Sequence, residues 1–237
     1  MNTFAGFIWS LSLLRAYNVI KEIYMKVLLI NGSPHEKGCT YTALSEVAKA
    51  LNENGIDTEI FWIGNKPIGG CVACKGCISL KKCVYEDAVN IAREKAYGAD
   101  GFVFGTPVHY AAPAGNMASF MDRLFYSESC GNGGAAFYLK PAAAITVARR
   151  GGTTAAFDQM NKYLTISQMP VISSRYWNMA HGAKAEQVYE DEEGVQTMRI
   201  LGKNMAYILK CIEAGKNAGI PLPEKEKTVF TNFINKR

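Results

Sequence analysis

Val27–Asn31 is an unbroken apolar run that stops at Gly32-Ser33-Pro34, and four further strand-like runs follow it, each separated from the next by a stretch of helical periodicity. A run apolar on both faces is what a strand buried in a parallel sheet requires, because helices cover it from both sides. Strands alternating with helices in this way imply right-handed crossovers and a parallel sheet.

The remaining strands are expected at Thr58–Ile63, Gly101–Gly105, Ala142–Val147 and Pro170–Ser173. Helices are expected from Leu44 to Leu51 with a stop at Gly55, and over about 87–98, 114–125, 154–164 and 195–214. Five strands fit a three-layer, doubly wound α/β fold of order 2-1-3-4-5, whose ligand crevice lies at the carboxyl ends of the first and third strands. Ser174–Gly194 reads as a polar insertion. Residues 25–215 form one domain in this reading, with 1–24 an N-terminal extension upstream of a second natural start at Met25, and 216–237 a Lys-rich tail.

Hydrophobic residues make up 49% of the 237 and charged residues 20%, which is ordinary globular composition. The net charge of +5 is scattered, without the basic stripe that nucleic-acid binding needs. The apolar Phe4–Leu14 stretch is too short to span a bilayer. It also lacks the basic start and cleavage site of a signal peptide. With seven cysteines at spacings unsuited to a disulfide framework, a reducing cytoplasm is the expected compartment.

The loop Asn31-Gly-Ser-Pro-His-Glu-Lys-Gly-Cys-Thr40 joins the first strand to the first helix. It offers backbone N–H groups, the hydroxyls of Ser33 and Thr40, and the positive end of a helix, which together suit a dianionic phosphate. The plainer alternative is a simple strand-to-helix connection. The Walker A and dinucleotide fingerprints are both absent. Gly-Ser-Pro-x-x-x-Gly-x-Thr after an N-terminal strand resembles the NADPH-dependent FMN reductases and iron–sulfur flavoproteins of the flavodoxin-like superfamily, over about residues 25–215. The resemblance implies that Ser33, His35, Gly38, Cys39 and Thr40 hold the phosphate of FMN. His35 stands where the family often has Arg, and Cys39 where it often has Asn.

Two more loops carry the resemblance. Thr106-Pro107-Val108-His109-Tyr110-Ala111 is similar to the family's Ser/Thr-Pro-x-Tyr-Tyr-Gly, which lines the flavin ring. His109 and Tyr110 are then candidate proton donors. Arg149-Arg150-Gly151-Gly152 matches a family segment expected near the flavin or the phosphate of NADPH, and Tyr176-Trp177-Asn178 recurs in some members as a flavin cover.

Cys71-x2-Cys74-x2-Cys77-x5-Cys83 can place four thiolates around one inorganic core. Such short spacings suit a compact 4Fe–4S cluster, whereas two overlapping C-x2-C steps crowd a single zinc ion. Iron–sulfur flavoproteins carry a very similar motif between the second strand and second helix, although related FMN reductases without a cluster also resemble this stretch. Cys130, expected in a Gly-rich loop, and Cys211, in the last helix, carry no signal of their own.

The expected function is an FMN-dependent oxidoreductase that takes hydride from NAD(P)H and reduces a quinone, flavin or similar small-molecule acceptor. The alternative is an electron carrier that takes electrons from ferredoxin through a 4Fe–4S cluster to FMN. Family members pair as homodimers or homotetramers. Met117–Leu124 and Tyr176–His181 are the expected contact segments.

Overall fold

The computed structural model describes residues 25–231, so the expectation for the 1–24 extension lies outside the described residues. Strand β1 (Lys26–Asn31) lies inside the sheet, between the edge strand β2 (Asp57–Trp62) and the central strand β3 (Gly101–His109). Beyond β3 come β5 (Ala142–Ala148) and β6 (Met179–His181), all parallel, while β4 (Ala112–Pro113) only folds back antiparallel on the end of β3. With that short hairpin set aside, the parallel strands stand in the expected order 2-1-3-4-5.

Alternation along the strands divides the core into two layers. Leu28, Ile30, Phe102, Phe104, Ala142 and Ala144 face one side. There they meet α3 (Ala88–Tyr97), α4 (Gly115–Asn132) and α5 (Thr153–Ile166). Val27, Leu29, Val103, Ala143 and Ile145 face the other side, against α1 (Cys39–Asn52) and α6 (Glu192–Asn217). Helices on both faces are why the inner strands β1, β3 and β5 read as nearly continuous apolar runs.

Three expectations change. Pro170–Ser173 does not form the fifth strand: only Val171 bridges to Ala142, and the edge is completed by Met179–His181 inside the expected polar insertion. The edge strand is split because Ser173–Asn178 loops away before rejoining β5, where the Asn178 carbonyl accepts from Thr146 N–H. Secondly, β3 runs four residues past Gly105, where β1 has ended and only β5 and the hairpin remain as partners. Pro107, which lacks an N–H, sits in that one-sided stretch. Thirdly, Met117, Phe120, Met121 and Leu124 are buried in the chain's own core, so that face is unavailable to a second copy. No helix among the described residues is long and apolar enough to cross a membrane.

Candidate functional site

The first loop leaves β1 at Asn31 and is braced before any ligand is considered. Asn31 Oδ1 accepts from Ser33 N–H at 3.1 Å, and Asn31 Nδ2 donates to the Glu36 carbonyl at 2.8 Å. Ser33 Oγ accepts from His35 N–H, and Trp62 Nε1 donates to the Ser33 carbonyl at 2.7 Å. Gly32 N–H donates to the Gly105 carbonyl at 2.8 Å, which clamps this loop to β3. A Cβ at Gly32 would lie 2.9 Å from the Gly105 carbonyl oxygen, a backbone atom, so glycine is what permits that approach.

What the bracing leaves open is the N-terminus of α1. Gly38 supplies no side-chain cap, and no acidic residue occupies the first turn. Thr40 is 1% exposed, and its Oγ1 has no hydrogen-bond partner. An uncapped helix start with a buried, unpartnered hydroxyl fits the phosphate of FMN in charge and in donors. Cys39 turns elsewhere: its Sγ donates to the Gly182 carbonyl at 3.4 Å, and burial pushes the thiol pKa up. That leaves its backbone as the part facing the helix start. His35 is exposed at the outer edge of the loop.

Thr106, fully buried, anchors the second loop. Its Oγ1 accepts from Ala114 N–H at 3.1 Å and closes the base of the hairpin. Tyr110 and Ala111 form the tip, both with positive φ (50° and 59°), the backbone that a two-residue hairpin of this hand demands. Tyr110 is wholly exposed, and His109 beside it is exposed as well. The third loop meets the hairpin from the other side. Gly152 has φ +91°, and a Cβ there would lie 2.8 Å from Ala111 Cα. Arg149 and Arg150 are exposed just before it. Loops after β1, β3 and β5 thus adjoin one another at the carboxyl edge of the sheet. Tyr176 and Trp177 are half-exposed and pack edge to face with centroids 4.9 Å apart, while Asn178 is buried behind them.

The cysteine segment contains the one-turn helix α2 (Cys77–Leu80). Ala73, Lys75 and Lys81 all adopt positive φ, a concentration of left-handed non-glycine residues that costs about 1–2 kcal/mol each. Cys71, Cys74, Cys77 and Cys83 line one small pocket together with Arg123 and Tyr126. Cys71 and Cys74 are exposed, and Cys77 is buried. Burial pushes the Cys77 thiol up, and negative charge on Cys130, Cys74 and Cys71 adds to the effect. Cys83 is held from behind by Asn90, whose Oδ1 accepts from Cys83 N–H and whose Nδ2 donates to the Cys83 carbonyl. Among the described residues no three His, Cys, Asp or Glu side chains converge tightly enough for a single metal ion.

Two participants escaped the sequence reading. Cys130 is not in a loop but in the last turn of α4, close enough to Cys77 for their charges to interact. Arg123, 2% exposed, donates from Nε to Cys83 Sγ at 3.2 Å and pairs with Asp87 through Nη1 and Nη2 at 2.6 and 3.0 Å. Its signal, a lone Arg on the apolar stripe of a helix, was present in the sequence.

Solved structures share the architecture. RosB with its bound intermediate 8-demethyl-8-formylriboflavin-5′-phosphate matches with a TM-score of 0.63 at 15% identity, covering 90% of this chain and 93% of that one. A flavone reductase matches with a TM-score of 0.60 at 21% identity, over 80% of this chain and 64% of its own. At such identities the likeness is one of fold. Sequence relatives go further. An iron–sulfur flavoprotein of Methanocaldococcus jannaschii is 30% identical over 198 residues, spanning 80% of this chain and all of the relative. One of Archaeoglobus fulgidus is 29% identical over 190 residues, 78% of this chain and 97% of its own. The family model for NADPH-dependent FMN reductases matches residues 25–184, which takes in all three loops and the cysteine segment. By that match, and by a full-length relative, the chain belongs to the NADPH-dependent FMN reductase family and is a flavin-dependent oxidoreductase.

Proposed function

We propose that the protein is an iron–sulfur flavoprotein, an electron-transfer protein holding FMN at the crevice and a 4Fe–4S cluster on Cys71, Cys74, Cys77 and Cys83. The observation that carries this reading is the lining of one pocket by all four cysteines, with Cys83 secured independently by Asn90 and Arg123. Four thiolates spread around a pocket suit the four iron corners of a cubane cluster better than one tetrahedral ion. The two relatives described above carry iron–sulfur flavoprotein as their name. FMN supplies an exchange point between single electrons and electron pairs, and the protein supplies binding, orientation and electrostatics.

In this reading Thr40 Oγ1, the uncapped α1 N–H groups and Ser33 bind the phosphate, with Gly38 allowing the backbone close and His35 at the rim. Backbone groups of Thr106–Ala111 orient the ring, Tyr110 offers a stacking face, and His109 holds a proton next to the reacting edge. A ferredoxin is the proposed donor, and the protein is proposed to act as a homodimer or homotetramer. Anaerobic purification with iron, sulfide and flavin quantification tests the assignment. The expected result is a brown protein with broad absorbance near 400 nm that Cys77→Ser and Cys83→Ser abolish while flavin stays bound. A yellow, iron-free protein after reconstitution overturns it.

A second reading is favoured by the exposure of Arg149 and Arg150 beside the hairpin tip. These suit an anionic nicotinamide cofactor, which would make the protein an NAD(P)H oxidoreductase for a quinone or flavin. Rapid NADPH oxidation, lost in an Arg149→Ala, Arg150→Ala double variant, would favour it.

A further inference from the structure

Arg123 is a buried cation in the middle of α4, its side chain 1% exposed. Its terminal nitrogens brace the cysteine segment: Nη1 and Nη2 bond Asp87, Nη2 also reaches the Tyr85 carbonyl at 3.3 Å, and Nη1 reaches the Gly69 carbonyl at 3.4 Å. Bracing explains those four bonds. It does not explain the fifth, in which Nε donates to Cys83 Sγ at 3.2 Å. A long apolar side chain would fill the same space without the cost of desolvating a charge. The charge is therefore accounted for by what it faces.

We infer, resting on the cluster assignment above, that Arg123 is a positioning residue that raises the reduction potential of the metal centre through Cys83, with Asp87 limiting how far. Reduction by one electron adds one negative charge to the cluster and its thiolates. A hydrogen bond and a positive charge delivered to a ligand sulfur stabilise that added charge more than the oxidised state. Asp87 offsets the guanidinium, so its removal leaves more of the positive charge to act on the sulfur.

The test compares the FMN-loaded protein with Arg123→Gln, Arg123→Lys and Asp87→Asn, each reconstituted anaerobically with ferrous iron and sulfide. Iron is quantified, and the cluster is titrated with dithionite through mediators while its EPR signal is followed. Asn caps a helix about as well as Asp, so α3 keeps its N-cap in Asp87→Asn. At full iron content, Arg123→Gln is expected to disfavour reduction about tenfold, which is about 59 mV for one electron. Arg123→Lys should fall between Gln and wild type, and Asp87→Asn should shift the potential the opposite way. A loosened loop would not move the two charge variants in opposite directions. Iron-replete variants with the wild-type potential, or shifts in the same direction, overturn the inference while leaving the cluster reading intact. Failure of the wild type to take up iron overturns both. If Arg123→Gln does not fold, Asp87→Asn and Arg123→Lys decide the question.

Discussion

Gly152 stands against the backbone of Ala111 so closely that a Cβ on the glycine would lie 2.8 Å from the alanine Cα. The contact joins the loop after β5 to the tip of the β3–β4 hairpin, and it exists only because Gly152 has no side chain and takes φ +91°. Gly32 joins the loop after β1 to β3: its N–H donates to the Gly105 carbonyl, and a Cβ on it would lie 2.9 Å from that same oxygen. Two glycines thus set the spacing of all three crevice loops.

Gly152→Ala should destabilise the fold by about 1–3 kcal/mol, since the new residue pays both for the left-handed backbone and for the clash. Flavin affinity should fall alongside, because the hairpin tip must move. Urea unfolding and quenching of FMN fluorescence read the two effects.

Ala111 makes the opposite case. It holds φ 59°, where the family pattern places Gly, and its Cβ would be 3.0 Å from a Cβ at position 152. Ala111→Gly should therefore stabilise the apo protein by about 1 kcal/mol, through relief of the left-handed strain. The urea midpoint should rise with an unchanged slope.

Thr40→Val separates ligand binding from folding. A buried hydroxyl without a partner costs about 1–3 kcal/mol, so a methyl in its place should leave the apo protein as stable or more so. The same change removes a donor to the phosphate and should weaken FMN binding about tenfold, or about 1.4 kcal/mol. A structural role for the hydroxyl would lower apo stability instead.

The sheet and the two principal loops were legible because they rest on local chemistry: apolar runs, turn residues and a helix start. Met179–His181 was not, because three residues flanked by Asn178 and Gly182 carry no strand signal and are held by pairing with β5. Cys130 was misread for a related reason. Gly131, Gly133 and Gly134 look like a loop, yet Gly131 finishes the last turn of α4 and Gly133, with φ +64°, caps it. Arg123 finds Asp87 across 36 positions of chain, a pairing that no local spacing rule can anticipate.

Glu59 makes the sheet edge sensitive to acid. Its carboxylate bridges Lys26 on β1 and Lys95 on α3, each at 2.5 Å, and hydrogen bonds from Lys26 first and Lys95 second hold its pKa below the usual carboxylate value. A carboxyl depressed in the folded state stays ionised where the unfolded chain has begun to protonate, so it stabilises the fold above the ordinary glutamate pKa of about 4.3. That stabilisation is lost as pH falls through the lower, folded-state pKa. The side chain is 28% exposed, so solvent screening limits the contribution to about 0.5–1 kcal/mol. Glu59→Gln should therefore be less stable than wild type by that amount near neutrality, and the two should converge in strong acid. Urea titrations at a series of pH values check it. A gap that persists undiminished in strong acid would mean that packing, rather than charge, holds β2 to its neighbours.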